Sequence, residues 1–138
     1  MIKAFGVKGL IRKLKKQHTI MQKRAAQGLK KSGLYLQRES QKIVPVDKGV
    51  LHNTAFTRQI KGGENPEVAV GYTAAYALYV HEDMEALHGA DFNQAHAKEI
   101  AAGTQHNRGA KQQAKFLEKP FREKRKQMQD IFKREVKP

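Results

Sequence analysis

The groups best suited to chemistry in this chain are histidines and carboxylates gathered in one stretch, where His81, Glu82, Asp83, Glu85, His88, His96 and His106 follow one another. A zinc-protease helix needs two histidines four residues apart on one face, with a glutamate beside the first as base. His81-Glu82-Asp83-Met84-Glu85 begins that way but puts Glu85 where the second histidine would stand, so the paired ligands are missing. Glu82 with Asp83 or Glu85 has the composition of a magnesium-dependent nuclease site, and equally that of a solvated or helix-capping run. Nucleophilic catalysis has little to draw on. There is no cysteine, and the only serines, Ser32 and Ser40, stand outside any Gly-x-Ser-x-Gly turn. Gly62-Gly63 is not followed by the Lys-Ser/Thr of a phosphate-binding loop. The expectation is a protein that is not an enzyme and carries no metal, cofactor or small-molecule substrate.

Charge is the stronger signal. The formal net charge is +14 over 138 residues, and it is unevenly placed. Residues 1–38 hold 11 Lys/Arg and no acid, residues 39–110 hold 6 against 9, and residues 111–138 hold 10 against 4. Two basic ends flanking a mildly acidic middle imply nucleic acid, an acidic protein neighbour or an acidic surface as partner, the alternative being a plain solvated helix face. The candidate contacts are Arg12, Lys13, Lys15, Lys16, Lys23, Arg24, Lys30 and Lys31 near the start, with Arg122 and Arg125 near the end. Such residues supply affinity through counterion release but read no sequence. No aromatic residues interleave with them as a base-stacking surface requires. A stand-alone basic nucleic-acid-binding protein is therefore one reading of the chain, and a magnesium-dependent nuclease a weaker one.

The elements that must position these groups follow from periodicity. Ile11, Leu14, His18, Met21, Ala25, Leu29, Ser32, Leu36 and Ile43 recur at three or four residues, predicting one long amphipathic helix. Gly28 and Gly33 each cost about 1 kcal/mol there, which suggests a bend or a close neighbour. Residues 1–10, with Gly6 and Gly9, read as a flexible arm. Pro45 disfavours helix at Val44, so the helix should stop near Ile43; Asp47 can cap a new turn, Gly49 allows its tight geometry, and Leu51 follows. Residues 54–60 and 67–72 read as a β-hairpin closed by Gly62-Gly63-Glu64-Asn65-Pro66, with Val68 and Val70 on one face. Residues 74–82 suit a short helix with Tyr76, Tyr79 and Val80 on one side. Residues 83–113 read as a long loop, with a weak helix around residues 95–102 as an option. A last helix should start near Lys119, with Pro120 in its first turn. The fold expected is α+β, in a single domain of residues 1–138: a long N-terminal and a C-terminal helix packed on a small antiparallel sheet. The longest apolar run falls far short of the roughly 20 residues of a membrane helix, and no secretory signal is visible, so the chain is expected to be soluble, without a membrane partner. The lack of cysteine suits assembly in a reducing cytoplasm.

Taken in order, Val44-Pro45-Val46-Asp47-x-Gly49-x-Leu51, Val70-Gly71-Tyr72, Tyr76-Ala77-x-Tyr79-Val80-His81-Glu82, Gly109-Ala110-Lys111 and Lys115-Phe116-Leu117-Glu118-x-Pro120 resemble the neck and tail-component proteins of tailed bacteriophages. These are the small head–tail joining, tail-completion or minor capsid proteins. The resemblance covers about residues 17 to 135. Lys48 and His52 replace the threonine and arginine common at that corner, and Asp83-Met84 follow where a glycine and a small residue are common. The resemblance implies a virion structural protein that forms a homo-oligomeric ring at the head–tail junction. That ring would be assembled in the bacterial host, contact connector and tail proteins, and surround double-stranded DNA. It also implies that Pro45, Asp47, Gly49 and Leu51 form a structural corner. Gly71, Tyr72, Tyr76, Tyr79, His81, Glu82, Phe116, Leu117 and Pro120 would then serve the core or the contacts between subunits. The hairpin edges, the N-terminal arm and residues 83–113 are expected to dock on neighbouring subunits.

Overall fold

A computed structural model describes residues 5–44, 49–82 and 115–137. The fold is α+β. Helix α1 (Phe5–Gln41) is followed by a one-turn helix α2 (Val50–Asn53), the hairpin strands β1 (Ala55–Lys61) and β2 (Glu67–Tyr72), and a short helix α3 (Ala77–Glu82). Two consecutive helices, α4 (Glu118–Glu123) and α5 (Arg125–Val136), complete it.

Helix α1 runs 37 residues, and its first turn takes in part of the expected arm. Residues 5–10 are helical, a correction to that expectation. Their glycines are exposed, and an added β-carbon at Gly6 or Gly9 would meet nothing within 4 Å among the described residues. The helix formers around them, Lys8, Leu10, Arg12 and Lys13, carry the helix back past these glycines.

Gly28 and Gly33 mark close neighbours. A β-carbon at Gly33 would stand 2.9 Å from Thr57 Cγ2 and 3.1 Å from both Val68 Cγ1 and Val70 Cγ2, so the hairpin lies directly on the helix backbone. A β-carbon at Gly28 would stand 2.9 Å from the Phe132 ring, so α5 lies on the helix one turn earlier. Helix α5 runs antiparallel to α1: Ser32 Oγ donates to the Met128 carbonyl at 2.9 Å, Lys31 pairs with Glu135 at 2.6 Å, and Arg24 donates to the Lys137 carbonyl at 3.0 Å.

The strands pair antiparallel with Ala55 opposite Tyr72 and Phe56 opposite Gly71, and an irregularity falls between Gln59 and Lys61. A lone hairpin is marginal in water, so burial of Val68 and Val70 against α1 is what holds it. The single C-terminal helix expected from Lys119 is instead broken at Lys124, whose φ of −100° and ψ of 13° leave helical geometry for one residue. Pro120 sits in the first turn of α4, where a missing N–H costs no intrahelical bond, and it is buried.

Candidate functional site

Three stretches far apart in sequence meet in one buried cluster. Val44 from the end of α1, Leu51 from α2, Ala77 from α3 and Phe116 before α4 pack together, with Ile43, Tyr72, Ala74, Val80 and Leu117 around them. Val44 and Phe116 are each only 1% exposed. Phe116 is the centre: the rings of Tyr72 and His81 stand nearly perpendicular to it in T-shaped contacts, with ring centroids 5.0 and 4.9 Å away. Such edge-to-face pairs contribute about 0.5–1.5 kcal/mol beyond the area they bury.

The chain enters this cluster by local rules. After Gln41 the Ile43 and Val44 amides both donate to the Ser40 carbonyl, at 3.0 and 2.9 Å, which turns Val44 inward. Gly49 has φ +76°, the left-handed geometry expected of it, and leads into α2. Gln41 Nε2 donates to the His52 carbonyl at 2.9 Å, tying α2 back to α1. Pro45 and Asp47 lie outside the described residues, as do Lys48, residues 83–113, Asp83 and Glu85, and His88, His96 and His106.

Ser40 is fully buried, and its hydroxyl shares a 2.7 Å hydrogen bond with the Tyr72 hydroxyl. Burial pushes the Tyr72 hydroxyl above its usual 10.0, and the Ser40 bond opposes this in part. Glu82 is engaged twice. The Lys115 ammonium pairs with one of its oxygens, and His81 Nδ1 lies 2.9 Å from the other. A carboxylate can only accept, so His81 donates from Nδ1. The Lys115 hydrogen bond, followed by that from His81, holds the Glu82 carboxyl below its usual range, and Glu82 in turn raises Lys115. The Lys115 amide also donates to the His81 carbonyl at 2.8 Å, so both backbone and side chain of Lys115, at φ +54°, are anchored to the end of α3.

His81 and Glu82 therefore clamp the C-terminal segment onto α3. Among the described residues no three metal-ligating side chains come together. Tyr76 and Tyr79 are 46% and 72% exposed, so of the two roles expected for them, core or subunit contact, they do not fill the first. Ala77, Val80 and His81 occupy the inward face, because a small residue at 77 lets the helix approach Phe116. Gly71 faces the Phe56 ring, at 3.2 Å for an added β-carbon; Leu117 is half-buried beside the cluster, and Pro120 is buried.

The basic residues separate into two sets. Lys31 and Arg24 are spent on α5, and Arg122 pairs with Glu118 at 2.5 Å. Arg12, Lys13, Lys15, Lys16, Lys23, Lys30 and Arg125 have no acidic partner among the described residues. No helix among the described residues is long and apolar enough to cross a membrane.

Two features escaped the sequence reading. The apolar face of α1 stays open over its first half, where Val7, Leu10, Ile11, Leu14 and Met21 are 46% to 61% exposed. The second is an open groove of about 660 Å³, floored by Leu29 and Leu36 and walled by Val68 and Val70 on one side and Phe121 and Phe132 on the other. The continuation of the three-or-four period back to Val7 signalled the first; nothing local signals the second.

Comparison of the chain with protein-family models, with curated proteins and with solved structures gives no match.

Proposed function

We propose that this chain is a non-catalytic structural subunit of a tailed-bacteriophage virion, forming an oligomeric ring at the neck that joins the head connector to the tail and surrounds the DNA. The observation that carries the reading is the convergence of Val44, Leu51, Ala77 and Phe116 in one cluster. The described parts of the segments whose ordered motifs resemble the neck proteins pack as one unit, so they would be retained together. Their polar members are consumed in fixing that unit: Glu82 and His81 hold Lys115, and Ser40 holds Tyr72. The unpaired basic ridge of α1 supports a partner of negative charge, whether the DNA in the channel or an acidic neighbour.

The test is to disrupt the gene in its phage and to image the product. Filled heads and complete tails that fail to join are expected, and the chain should localise to the neck of wild-type particles. Normal particles without the chain would overturn the reading.

The same ridge favours one second reading, a stand-alone nucleic-acid-binding protein. It predicts that an isolated monomer binds free duplex DNA with an affinity that falls steeply with salt, by a slope of about −0.9 per phosphate contacted. Replacing Lys16, Lys23 and Lys30 by alanine would then flatten the slope.

A further inference from the structure

The open apolar face of α1 and the open groove are complementary features of one chain that cannot satisfy each other within it. Both lie on the same continuous helix, and Leu14 and Leu36 are separated by roughly 33 Å along its axis at 1.5 Å per residue. We propose that residues 7–21 of one copy lie in the groove of the next, a heterologous contact that repeats around the neck ring; this rests on the ring reading above.

Three observations select a second copy as the occupant. The stripe Val7, Leu10, Leu14, Met21 is the same helical face that, further along at Leu29 and Leu36, already packs beside β2 and α5, so the contact extends an existing interface of the same chemistry. Charge is compatible as well. By helical period Lys8, Arg12, Lys13, Lys15, Lys16 and Lys23 fall off the stripe, so docking leaves them in solvent. Area sets the strength. Residues 7–21 span about 22 Å, and half the circumference of a helix about 11 Å across gives on the order of 800 Å² over both partners, so each contact is weak alone and gains from repetition around a ring.

The groove also has a polar end. Past Leu36 and Phe121 a second hollow of about 390 Å³ reaches Leu117 and His81. There His81 Nε2 is fully buried with no hydrogen-bond partner among the described residues. Because each copy offers its stripe at one place and its groove at another, the contact closes a ring or grows a filament and does not stop at a symmetric dimer. It also gathers the basic faces of successive α1 helices on one surface of the assembly.

The chain has no cysteine, so introduced thiols report cleanly. Leu14→Cys and Phe121→Cys, both at exposed positions, are mixed as full-length single variants under mild oxidation. A cross-linked dimer that requires both variants is expected, and the double variant should give a ladder of multiples. Association of the unmodified chain, followed by light scattering, should strengthen with added salt as like charges are screened, and Leu14→Glu should weaken it at least tenfold. Cross-linking of Leu14→Cys with itself would mean stripe on stripe and would overturn the proposal. So would a mixture that never cross-links, whether Phe121→Cys stays open to a thiol reagent or is shielded by some other occupant. A closed ring seen by microscopy without this cross-link sinks the contact and spares the neck reading. A cross-linked ladder that never closes spares the contact and counts against the ring.

Discussion

Gly28 of α1 and Phe132 of α5 approach so closely that a β-carbon on residue 28 would stand 2.9 Å from ring atom Cδ2, and 3.3 Å from the Glu135 β-carbon. The same substitution therefore has opposite effects at different glycines of one helix. Gly9→Ala meets nothing within 4 Å and gains helix propensity of up to about 1 kcal/mol. Gly28→Ala gains the same propensity but forces apart two packed helices, at a cost of about 1–3 kcal/mol. Gly33→Ala meets Thr57, Val68 and Val70 together and should cost most. Thermal unfolding followed by circular dichroism should show Gly9→Ala at or above the parent and the other two below it, in that order. A Gly33→Ala variant as stable as the parent would mean that the hairpin does not rest on α1.

The long helix, the hairpin and the glycine turn were legible because each is written in local period and turn chemistry. What was not legible depends on distant partners. Residues 74–82 allow two helical faces, and the choice of Ala77, Val80 and His81 over Tyr76 and Tyr79 is made by Phe116, more than thirty positions later. The extension of α1 to Phe5 was masked by Gly6 and Gly9, whose propensity cost is outweighed by the helix formers around them. No glycine or proline stands at Lys124 to announce the break between α4 and α5. The candidate site was legible as a set of motifs, but not the clamp of Lys115 by His81 and Glu82, which spans 33 residues of sequence.

The Ser40–Tyr72 hydrogen bond predicts an asymmetry. Tyr72→Phe strands a hydroxyl on Ser40, which has no exposure to water, and should cost about 1–3 kcal/mol. Ser40→Ala leaves the Tyr72 hydroxyl, on a half-buried residue, more able to find water, and should cost less. Replacing both should be milder than Tyr72→Phe alone. Chemical denaturation of the three variants measures the coupling. Strictly additive losses would show that the two hydroxyls do not depend on each other.

The clamp on Glu82 predicts how stability varies with pH. The folded carboxyl lies below its ordinary 4.5, so it stabilises the fold fully above that value, and the contribution is lost as pH falls through the lower folded value. Lys115 lies above its ordinary 10.5, so its contribution is complete below that value and is lost as pH rises through the higher folded value. Glu82→Gln should therefore lower the melting temperature at neutral pH and narrow its gap to the parent in acid. Both groups are partly solvated, so the effect should be small and should shrink in high salt. A gap that stays constant from pH 7 to pH 3 would remove the ionic clamp as a source of stability.

Gly49 separates a backbone requirement from a packing one. Its φ is +76°, yet among the described residues an added β-carbon would meet only Asn53 Nδ2, at an ordinary 3.6 Å. The cost of substitution should therefore come from conformation alone, at about 1–2 kcal/mol for a residue that disfavours the left-handed region. Asparagine enters that region more readily than valine, whose branched β-carbon makes it the worst choice. The expected order of melting temperature is Gly49, then Gly49→Asn, then Gly49→Ala, then Gly49→Val. Because Leu51 enters the Phe116 cluster directly after this residue, the same order should appear in the yield of assembled particles. Equal stability of Gly49→Val and Gly49→Asn would show that the corner before α2 tolerates another backbone path, and that Leu51 is placed by its packing alone.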